Sequence, residues 1–292
     1  MLNAIPTEVR TGVLELLGEA YGLQHFSFAG GGCINHGGKL TTSRCHFFLK
    51  WNDARTLKGM FEAEAKGLLQ LRQTSTVYVP EVIGTGLKGA FQFLLLSFVE
   101  QRAPGHRYWE NAGRQLASLH RCQNSMYGLD HNNYMGSLPQ RNDRTDSWSS
   151  FFVGQRLQPQ VRLARDNDRL SVSDVAVFDR LYGKGSNLFP DEAPSLVHGD
   201  LWRGNLINSD AGGPCFIDPA IYFGHREVDL AMTKLFGGFH GDFYAAYHES
   251  YPLLPDDEER VDLYNLYPLL VHLNLFGASY YGDVMRIAKR FS

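Results

Sequence analysis

The stretch at residues 196–220, LVHGDLWRGNLINSDAGGPCFIDPA, most restricts how this chain of 292 residues can fold. Short apolar runs at 206–207 and 215–217 flank a turn-forming segment at 208–213, so they predict the two strands of a hairpin. Loops carried on such a rigid support commonly hold functional polar groups. The hairpin is therefore a candidate functional site.

Three polar side chains border this hairpin. Asp200 and Asn205 precede its first strand, and Asp218 ends its second. Their spacing matches the H-x-D-x4-N pattern and downstream Asp of a kinase catalytic loop. One carboxylate would accept the proton of an attacking hydroxyl, while the amide oxygen and the other carboxylate would hold Mg²⁺ against phosphates. Because Asp and Asn are also ordinary turn residues, the interpretation depends on the rest of the chain.

Composition excludes several other classes of protein. The formal net charge of −3 gives no electrostatic footprint for nucleic acid or an anionic membrane. The sequence has no apolar run long enough to span a bilayer, and its first residues lack the pattern of a signal peptide. The four cysteines form no CxxC pair or metal-finger spacing. We therefore expect a cytoplasmic protein with no nucleic-acid or membrane partner.

The N-terminal third carries three features of nucleotide binding. A glycine-rich loop at 30–38 allows its backbone to approach phosphate oxygens, although a flexible hairpin turn is the competing interpretation. Lys50 lies near the end of an aromatic, alternating segment at 44–51 that predicts a strand. Asp53 is predicted to cap a following helix at 54–72. A strand lysine paired with a glutamate of the next helix positions ATP phosphates in kinase folds.

Spacing alone leaves two glutamates, Glu62 and Glu64, as partners for this lysine. The apolar run FQFLLLSFV at 91–99 predicts a buried strand, and the polar, turn-rich segment at 100–105 marks a domain boundary. In a two-lobed kinase this boundary is the hinge, where backbone groups near 97–99 meet adenine. The alternative is a buried strand followed by an ordinary loop. Beyond it, the pattern predicts mainly helices, with a loop at 127–142.

This ordered set of features resembles the fructosamine kinase (ketosamine-3-kinase) family, within the aminoglycoside phosphotransferase and choline kinase branch of the kinase-like fold. The resemblance covers nearly the whole chain. The motifs that carry it are GGGCIN at 30–35, FFLKWN at 47–52, MFEAEAKGLLQL at 60–71, QLASLHR at 115–121, NNYMGSLPQRN at 132–142, DSWSSFFVGQRL at 146–157, LVHGDLWRGN at 196–205, FIDPAIYFGHREVDLAMTKLFGGF at 216–239 and LYNLYPLLVHLNLFG at 263–277.

The resemblance implies an α+β, two-lobed, protein-kinase-like fold. It implies an N-lobe at 1–100, with an antiparallel sheet and a helix, that binds the nucleotide. A mostly helical C-lobe at 101–292 would carry catalysis and substrate. The implied activity is an ATP-dependent and Mg²⁺-dependent phosphorylation of the 3-hydroxyl of ketosamines, small or protein-bound. Such an enzyme removes glycation, because the phosphorylated adduct is unstable and releases the amine.

The resemblance also implies roles for individual residues. Asp200 is the general base, Asn205 and Asp218 bind Mg²⁺, and Glu64 is the partner of Lys50. Relatives often carry an acid where this chain has Ser97, and little loss is expected because hinge contacts are mainly through the backbone. The implied nucleotide-binding residues are Gly30, Gly31, Gly32, Cys33, Ile34, Asn35, Lys50, Glu64, Ser97, Phe98 and Val99.

Residues near the catalytic loop are candidates for the acceptor site. Trp202 lies two residues from Asp200, and its indole face suits the cationic amine of a ketosamine, although a core-packing role competes. Arg203 and His225 are further candidates, and Asp229 is expected to support the catalytic loop. Some members of the family carry a redox-sensitive cysteine in the glycine loop. Cys33 is thus either inert in a monomer or the link of a redox-linked homodimer.

Two other functions compete with ketosamine phosphorylation. The first is a small-molecule kinase for an aminoglycoside, choline or another amino alcohol, because the acceptor site cannot be read from sequence. The second is a nucleotide-binding regulatory protein that has lost catalysis, which the presence of the full set of polar residues disfavours. Turnover on defined acceptors separates the three.

Overall fold

The computed structural model describes residues 1–29, 35–209 and 213–292. They form two compact units, Met1–Tyr108 with Leu206–Asp218, and Trp109–Asn205 with Pro219–Ser292. No helix in the described part of the chain is long and apolar enough to cross a membrane. The strands are β1 Leu23–Phe28, β2 His36–Thr42, β3 His46–Asp53, β4 Val82–Lys88, β5 Phe91–Ser97, β6 Asn133–Met135, β7 Leu138–Gln140, β8 Ser195–Val197, β9 Leu206–Asn208, β10 Pro214–Phe216 and β11 Tyr222–Gly224. The helices are α1 Thr7–Leu17, α2 Met60–Gln73, α3 Tyr108–His120, α4 Trp148–Phe151, α5 Gln158–Asp166, α6 Val172–Gly183, α7 Glu227–Leu235, α8 Gly241–Ser250, α9 Asp257–Phe276 and α10 Tyr281–Phe291.

The first unit is built on an antiparallel five-stranded sheet in the order β1-β2-β3-β5-β4. Alternate side chains of β3, including Leu49 and Trp51, join Val9 and Val13 of α1 in a buried apolar cluster. Because successive side chains of a strand point to opposite faces, Lys50 points away from this cluster. The alternation thus places the lysine on the sheet face that meets α2.

Helix α2 buries Phe61 and Leu68 on one side. Glu64 lies three residues after the first and four before the second, so helical geometry brings it to this buried side. Glu62 is exposed instead. The predicted capping role of Asp53 is wrong: Asp53 ends β3 and bonds Arg55, while Gly59 caps a helix that begins at Met60 rather than at 54.

The hairpin β9-β10 belongs to the first unit, whereas the predicted division at residue 100 placed it in the second domain. Backbone hydrogen bonds explain this difference. The Arg102 amide donates to the Asn208 carbonyl at 3.0 Å, and the Phe216 amide donates to the Tyr78 carbonyl at 2.8 Å. Asp218 therefore lies in the same unit as Lys50.

The second unit is mostly helical, as the sequence predicts. Helix α3 is the first helix after the predicted boundary at 100–105. Strand β8 pairs antiparallel with β11, and the chain runs directly from β8 into the segment at 198–205. The stretch at 127–142, predicted to be a loop, contains the short hairpin β6-β7. A π-helix at Phe152–Leu157, which the sequence did not predict, joins α4 to α5.

Candidate active site

Lys50 forms the centre of the polar site in the first unit. Its ammonium donates hydrogen bonds to Glu64 Oε1 at 2.8 Å and to Asp218 Oδ1 at 2.7 Å. The lysine and Glu64 side chains are 8% and 12% exposed, whereas that of Asp218 is 44% exposed. The sequence-predicted lysine, helix glutamate and strand-end aspartate are thus brought together, and the aspartate faces solvent.

The two carboxylates of this cluster stabilise the charged form of the lysine between them. Burial opposes the charge of Lys50, but Asp218 and Glu64 outweigh that effect, so the pKa of Lys50 is raised and the side chain is an ammonium ion at neutral pH. Burial raises the pKa of Glu64, and the adjacent ammonium opposes this rise. A fixed positive charge next to an exposed carboxylate is suited to phosphate oxygens and a metal ion.

The backbone at Asp218 adopts a left-handed conformation with φ of 54°. This region is unfavourable for most residues, and Asp is among the few that tolerate it. The bend lets the chain leave the hairpin while the carboxylate stays on Lys50. Residues in such conformations often occur at functional sites.

Of the GGGCIN motif at 30–35, the structure describes Asn35. Gly30, Gly31, Gly32, Cys33 and Ile34 lie outside the described residues. Asn35, the last residue of the GGGCIN motif, accepts a hydrogen bond from Asn52 Nδ2 at 2.7 Å. The prediction that the loop continues to residue 38 is wrong, because β2 begins at His36. Because Asn52 is buried on β3 two residues from Lys50, this bond ties the described end of the loop to the lysine strand.

The predicted hinge begins where β5 ends. The Ser97 amide donates to the Glu81 carbonyl, and the Ser97 hydroxyl accepts from the Glu81 amide, both at 2.8 Å. Val99 is buried, and Lys39 Nζ lies 4.3 Å from the centre of the Phe98 ring. Within the described residues, the backbone of Phe98 and Val99 forms no hydrogen bond beyond the pairing that ends at Ser97.

In the second unit, Asp200 and Asn205 lie in one loop. Asn205 is buried, and its Nδ2 donates to the Asp200 carbonyl at 2.8 Å and to Asp200 Oδ2 at 3.1 Å. The x4 spacing thus closes a short loop in which the amide nitrogen orients the carboxylate. The amide oxygen of Asn205 takes no part in these two bonds and is the group that suits a metal ion.

A buried carboxylate holds the start of this loop. Asp229 of α7 accepts the backbone amides of His198 at 2.7 Å and Gly199 at 2.8 Å, and lies 3.1 Å from His120 Nε2. Burial alone would raise the pKa of Asp229, but its hydrogen bonds and the nearby histidines outweigh burial, and the pKa is lowered. The carboxylate therefore supports the loop, as the sequence predicts.

Gly199 is required by a close backbone approach. Its φ is +82°, and a Cβ at this position would lie 2.1 Å from the Ala220 carbonyl oxygen. The Ala220 amide in turn donates to the His198 carbonyl at 2.9 Å. The loop that holds Asp200 is thus packed directly on the backbone at Ala220.

A buried polar network, which sequence reasoning missed, supports this backbone. Gln140 Nε2 donates to the Ala220 carbonyl and to Asn133 Oδ1, and its Oε1 accepts from the Tyr267 hydroxyl. Asn133 Nδ2 donates to the Ile221 carbonyl at 2.8 Å. These residues come from the predicted loop at 127–142. Its polar composition gave the only hint, because buried polar groups need partners.

Arg156 completes this network from the π-helix. It is fully buried and donates to Asn142 Oδ1 at 2.7 Å. Its guanidinium lies 4.1 Å from the Tyr222 ring centre and 4.5 Å from that of Phe151. Among the described residues no carboxylate forms an ion pair with it, so aromatic faces and neutral oxygens surround its charge.

The two acceptor-site candidates of the loop point to different aromatic groups. Trp202 is half-buried and packs edge-on against Phe236, with ring centres 6.5 Å apart. Arg203 is exposed and lies 5.4 Å from the ring centre of Trp109. His225 is fully buried and its Nδ1 lies 2.9 Å from the Tyr264 hydroxyl, so the proposal that it lines the acceptor site is wrong.

The donor groups fit Mg²⁺. This ion prefers hard oxygen ligands and keeps several waters or phosphate oxygens, so it needs only one or two protein carboxylates. The exposed Asp218 carboxylate is such a donor in the first unit. The amide oxygen of Asn205 is such a donor in the second unit. No group of three or more His, Cys, Asp or Glu residues could hold a metal ion in the described ranges.

Known proteins that are similar to this chain belong to the family that the sequence motifs resemble. The model of the fructosamine kinase family matches residues 6–291. A probable ketoamine kinase of Synechocystis sp. is 39% identical over 95% of this chain and 94% of its own. A ketosamine-3-kinase of Mus musculus is 33% identical, over 90% of this chain and 94% of its own.

Two solved structures have a similar fold. A protein from Thermobifida fusca assigned as a fructosamine-3-kinase is 33% identical with a TM-score of 0.87, over 98% of each chain. The aminoglycoside phosphotransferase APH(4)-Ia shares the fold at 13% identity, with a TM-score of 0.64 over 96% of this chain and 98% of its own. The predicted α+β kinase-like fold is confirmed, and the chain belongs to the fructosamine kinase family.

Proposed function

We propose that this chain is an ATP-dependent kinase that phosphorylates the 3-hydroxyl of ketosamines, the sugar adducts that glycation forms on amines. Family membership supports the reaction class. The observation that carries the chemistry is the ammonium of Lys50 held between Glu64 and Asp218. Phosphoryl transfer depends mainly on positioning and electrostatic stabilisation, and this cluster supplies both.

We assign the residue roles as follows. Lys50 offsets the charge of the ATP phosphates, and Glu64 keeps it oriented. The backbone of Phe98 and Val99 binds adenine, because Ser97 already uses its amide and hydroxyl on Glu81. Residues 30–35 of the glycine loop would cover the phosphates.

In the second unit, Asp200 accepts the proton of the attacking hydroxyl. Asn205 fixes the orientation of that carboxylate through its amide nitrogen. Asn205 and Asp218 would hold Mg²⁺ through oxygen atoms, and the bound ion supplies charge stabilisation at the transferring phosphate. A cytoplasmic location and the Cys33-linked homodimer stay predictions.

The test is ADP release with ATP and Mg²⁺ on four acceptors: ribulosyl-lysine, fructosyl-lysine, choline and kanamycin. The proposal predicts turnover on at least one ketosamine and none on choline or kanamycin. Turnover restricted to choline or kanamycin would keep the kinase assignment and reject the substrate. ATP binding without turnover on any acceptor would favour a regulatory protein.

A further inference from the structure

A pocket of about 130 Å³ lies within the second unit, between α7, α8 and the first part of α9. An engineered cavity of about 150 Å³ in another protein holds one benzene molecule, so this pocket suits an apolar body the size of one ring. On α9 the lining ends at Tyr264, and among the described residues it includes none of the loop at 198–205. The pocket is therefore separate from the loop that holds Asp200.

Helix α7 separates the pocket from that loop. Glu227, Leu230 and Lys234 line the pocket, and their spacing of three and four residues places them on one face of the helix. Asp229, which accepts the loop amides, lies about 200° around the helix from Glu227. The two faces of one short helix thus serve the pocket and the loop.

Three tyrosines supply aromatic walls to the pocket, Tyr244 and Tyr247 of α8 and Tyr264 of α9. The last two are buried, and their hydroxyls are engaged elsewhere. The Tyr247 hydroxyl lies 2.8 Å from His120 Nδ1, and the Tyr264 hydroxyl lies 2.9 Å from His225 Nδ1. The rings are therefore the part that an occupant can contact.

The charged groups of the pocket are mainly carboxylates. Glu227, Asp257 and Glu258 line it, against the single ammonium of Lys234. Glu227 pairs with Arg260 at 2.7 Å, and Glu258 pairs with Lys234 at 2.6 Å. Within the described chain, Asp257 takes part in no ion pair and no side-chain hydrogen bond. The balance of charge is negative even with Arg260 included, so the pocket attracts a cation.

The chain's own lysine shows which cation suits the pocket. Lys234 Nζ lies 5.3 Å from the centre of the Tyr244 ring while it pairs with Glu258. An ammonium held between an aromatic face and a carboxylate is the arrangement by which proteins bind organic ammonium ligands. The Glu258 side chain is 77% exposed, so this ion pair is weak and easily displaced.

We propose that this pocket binds an organic ammonium ion with an apolar body of about one ring, and that its occupant stabilises the loop that holds Asp200. The inference goes beyond the proposed function and does not depend on which acceptor the enzyme phosphorylates. The apolar body packs on Leu230 and the tyrosine rings, and the ammonium pairs with Asp257.

The link to the loop runs through two walls of the pocket. Tyr247 contacts His120, and His120 Nε2 lies 3.1 Å from Asp229 Oδ2. The other wall is α7, which carries Asp229 itself. Asp229 can release the loop amides only when these walls move. An occupant that packs against both walls therefore opposes local opening of the loop.

The binding test uses benzylammonium and its neutral analogue benzyl alcohol, titrated against the full chain by saturation-transfer difference NMR. For a ligand of this size we expect a dissociation constant on the order of 1 mM for benzylammonium. Benzyl alcohol should bind roughly five-fold more weakly, because it lacks the charge.

Three variants locate the site. Asp257→Asn should weaken benzylammonium binding about three- to five-fold and leave benzyl alcohol unchanged. Lys234→Met should tighten benzylammonium binding roughly two- to five-fold, because it removes the competing ammonium. Glu259→Gln is the matched control, because Glu259 is exposed in the same turn of α9 but does not line the pocket.

Hydrogen exchange followed by mass spectrometry tests the link to the loop. At ten times its dissociation constant, benzylammonium should slow exchange of a peptide spanning 196–202 by up to about ten-fold. A peptide spanning 46–53, from the first unit, should exchange at its original rate.

Several results would overturn the proposal. Equal binding of the alcohol and the ammonium, or an equal loss in Glu259→Gln and Asp257→Asn, excludes a cation site at this pocket. Weaker binding in Lys234→Met contradicts the competition, and loss of binding in Asp200→Asn places the ligand at the catalytic loop instead. Binding at the pocket with unchanged exchange at 196–202 rejects the link to the loop.

Discussion

Replacing Gly199 by alanine tests whether the catalytic loop depends on its close approach to Ala220. The left-handed backbone at φ of +82° costs about 1–2 kcal/mol for a residue with a Cβ. The added atom would also lie 2.1 Å from the Ala220 carbonyl oxygen, which is backbone and cannot rotate away. Overpacking of this kind costs a further ~1–3 kcal/mol. The expected loss in unfolding free energy is therefore about 2–5 kcal/mol.

Gly237→Ala separates the cost of the left-handed backbone from the cost of the steric overlap. Its φ is +90°, but a Cβ there would have no atom of the described chain within 4 Å. Urea unfolding of both variants should thus show a loss of about 1–2 kcal/mol for Gly237→Ala and a clearly larger loss for Gly199→Ala.

Activity gives the second readout. Relieving the overlap moves the loop by about an ångström, and a misplacement of that size can cost about 100-fold in rate. We expect Gly199→Ala to lose kcat in the ADP-release assay below its melting temperature, while Gly237→Ala keeps it. Equal stability losses in the two variants, with kcat retained in both, would refute the packing argument.

Three further predictions concern buried polar groups. By urea unfolding, Glu64→Gln should lower the unfolding free energy by about 1–3 kcal/mol, because it removes a charged partner from the buried ammonium of Lys50. The exposed residue Glu62 is the control, and Glu62→Gln should be within ~0.5 kcal/mol of wild type. Gln140→Leu should cost about 2–4 kcal/mol in the same assay, since it leaves the Ala220 carbonyl and Asn133 Oδ1 without this donor; a neutral result would contradict a role for the network. Burial lowers the pKa of His225 to about 4, so folding favours its neutral form and its contribution to stability is lost as pH falls below the unfolded value near 6.5. Wild type should thus lose about 2 kcal/mol more unfolding free energy than His225→Gln between pH 7 and pH 5, and parallel losses would show that His225 does not set this dependence.

Local patterns predict one part of the site. They predict a strand that carries Lys50 and a following helix that carries Glu62 and Glu64, and the structure contains both elements. Spacing left the two glutamates open, and the family resemblance selected Glu64. The structure gives the physical reason, because Glu64 lies on the buried side of α2 with Phe61 and Leu68 whereas Glu62 is exposed.

Other parts depend on contacts between distant residues. Asp218 meets Lys50 across 168 positions of the chain, so only the family pattern linked them. The need for glycine at 199 comes from Ala220, and Arg156 is held by a loop whose composition predicted no structure. The cap predicted at Asp53 failed because its carboxylate bonds Arg55 instead.

The most direct test of the proposed function is to identify the phosphorylated atom and its dependence on Asp200. Ribulosyl-lysine is incubated with ATP, Mg²⁺ and enzyme, and the product is examined by phosphorus–proton correlation NMR. We predict that phosphorus couples to the proton on C3, and that Asp200→Asn lowers kcat by roughly 10² to 10⁴ while KM for ATP changes little. Phosphate on another hydroxyl, or near-normal turnover of Asp200→Asn, would contradict the assignment.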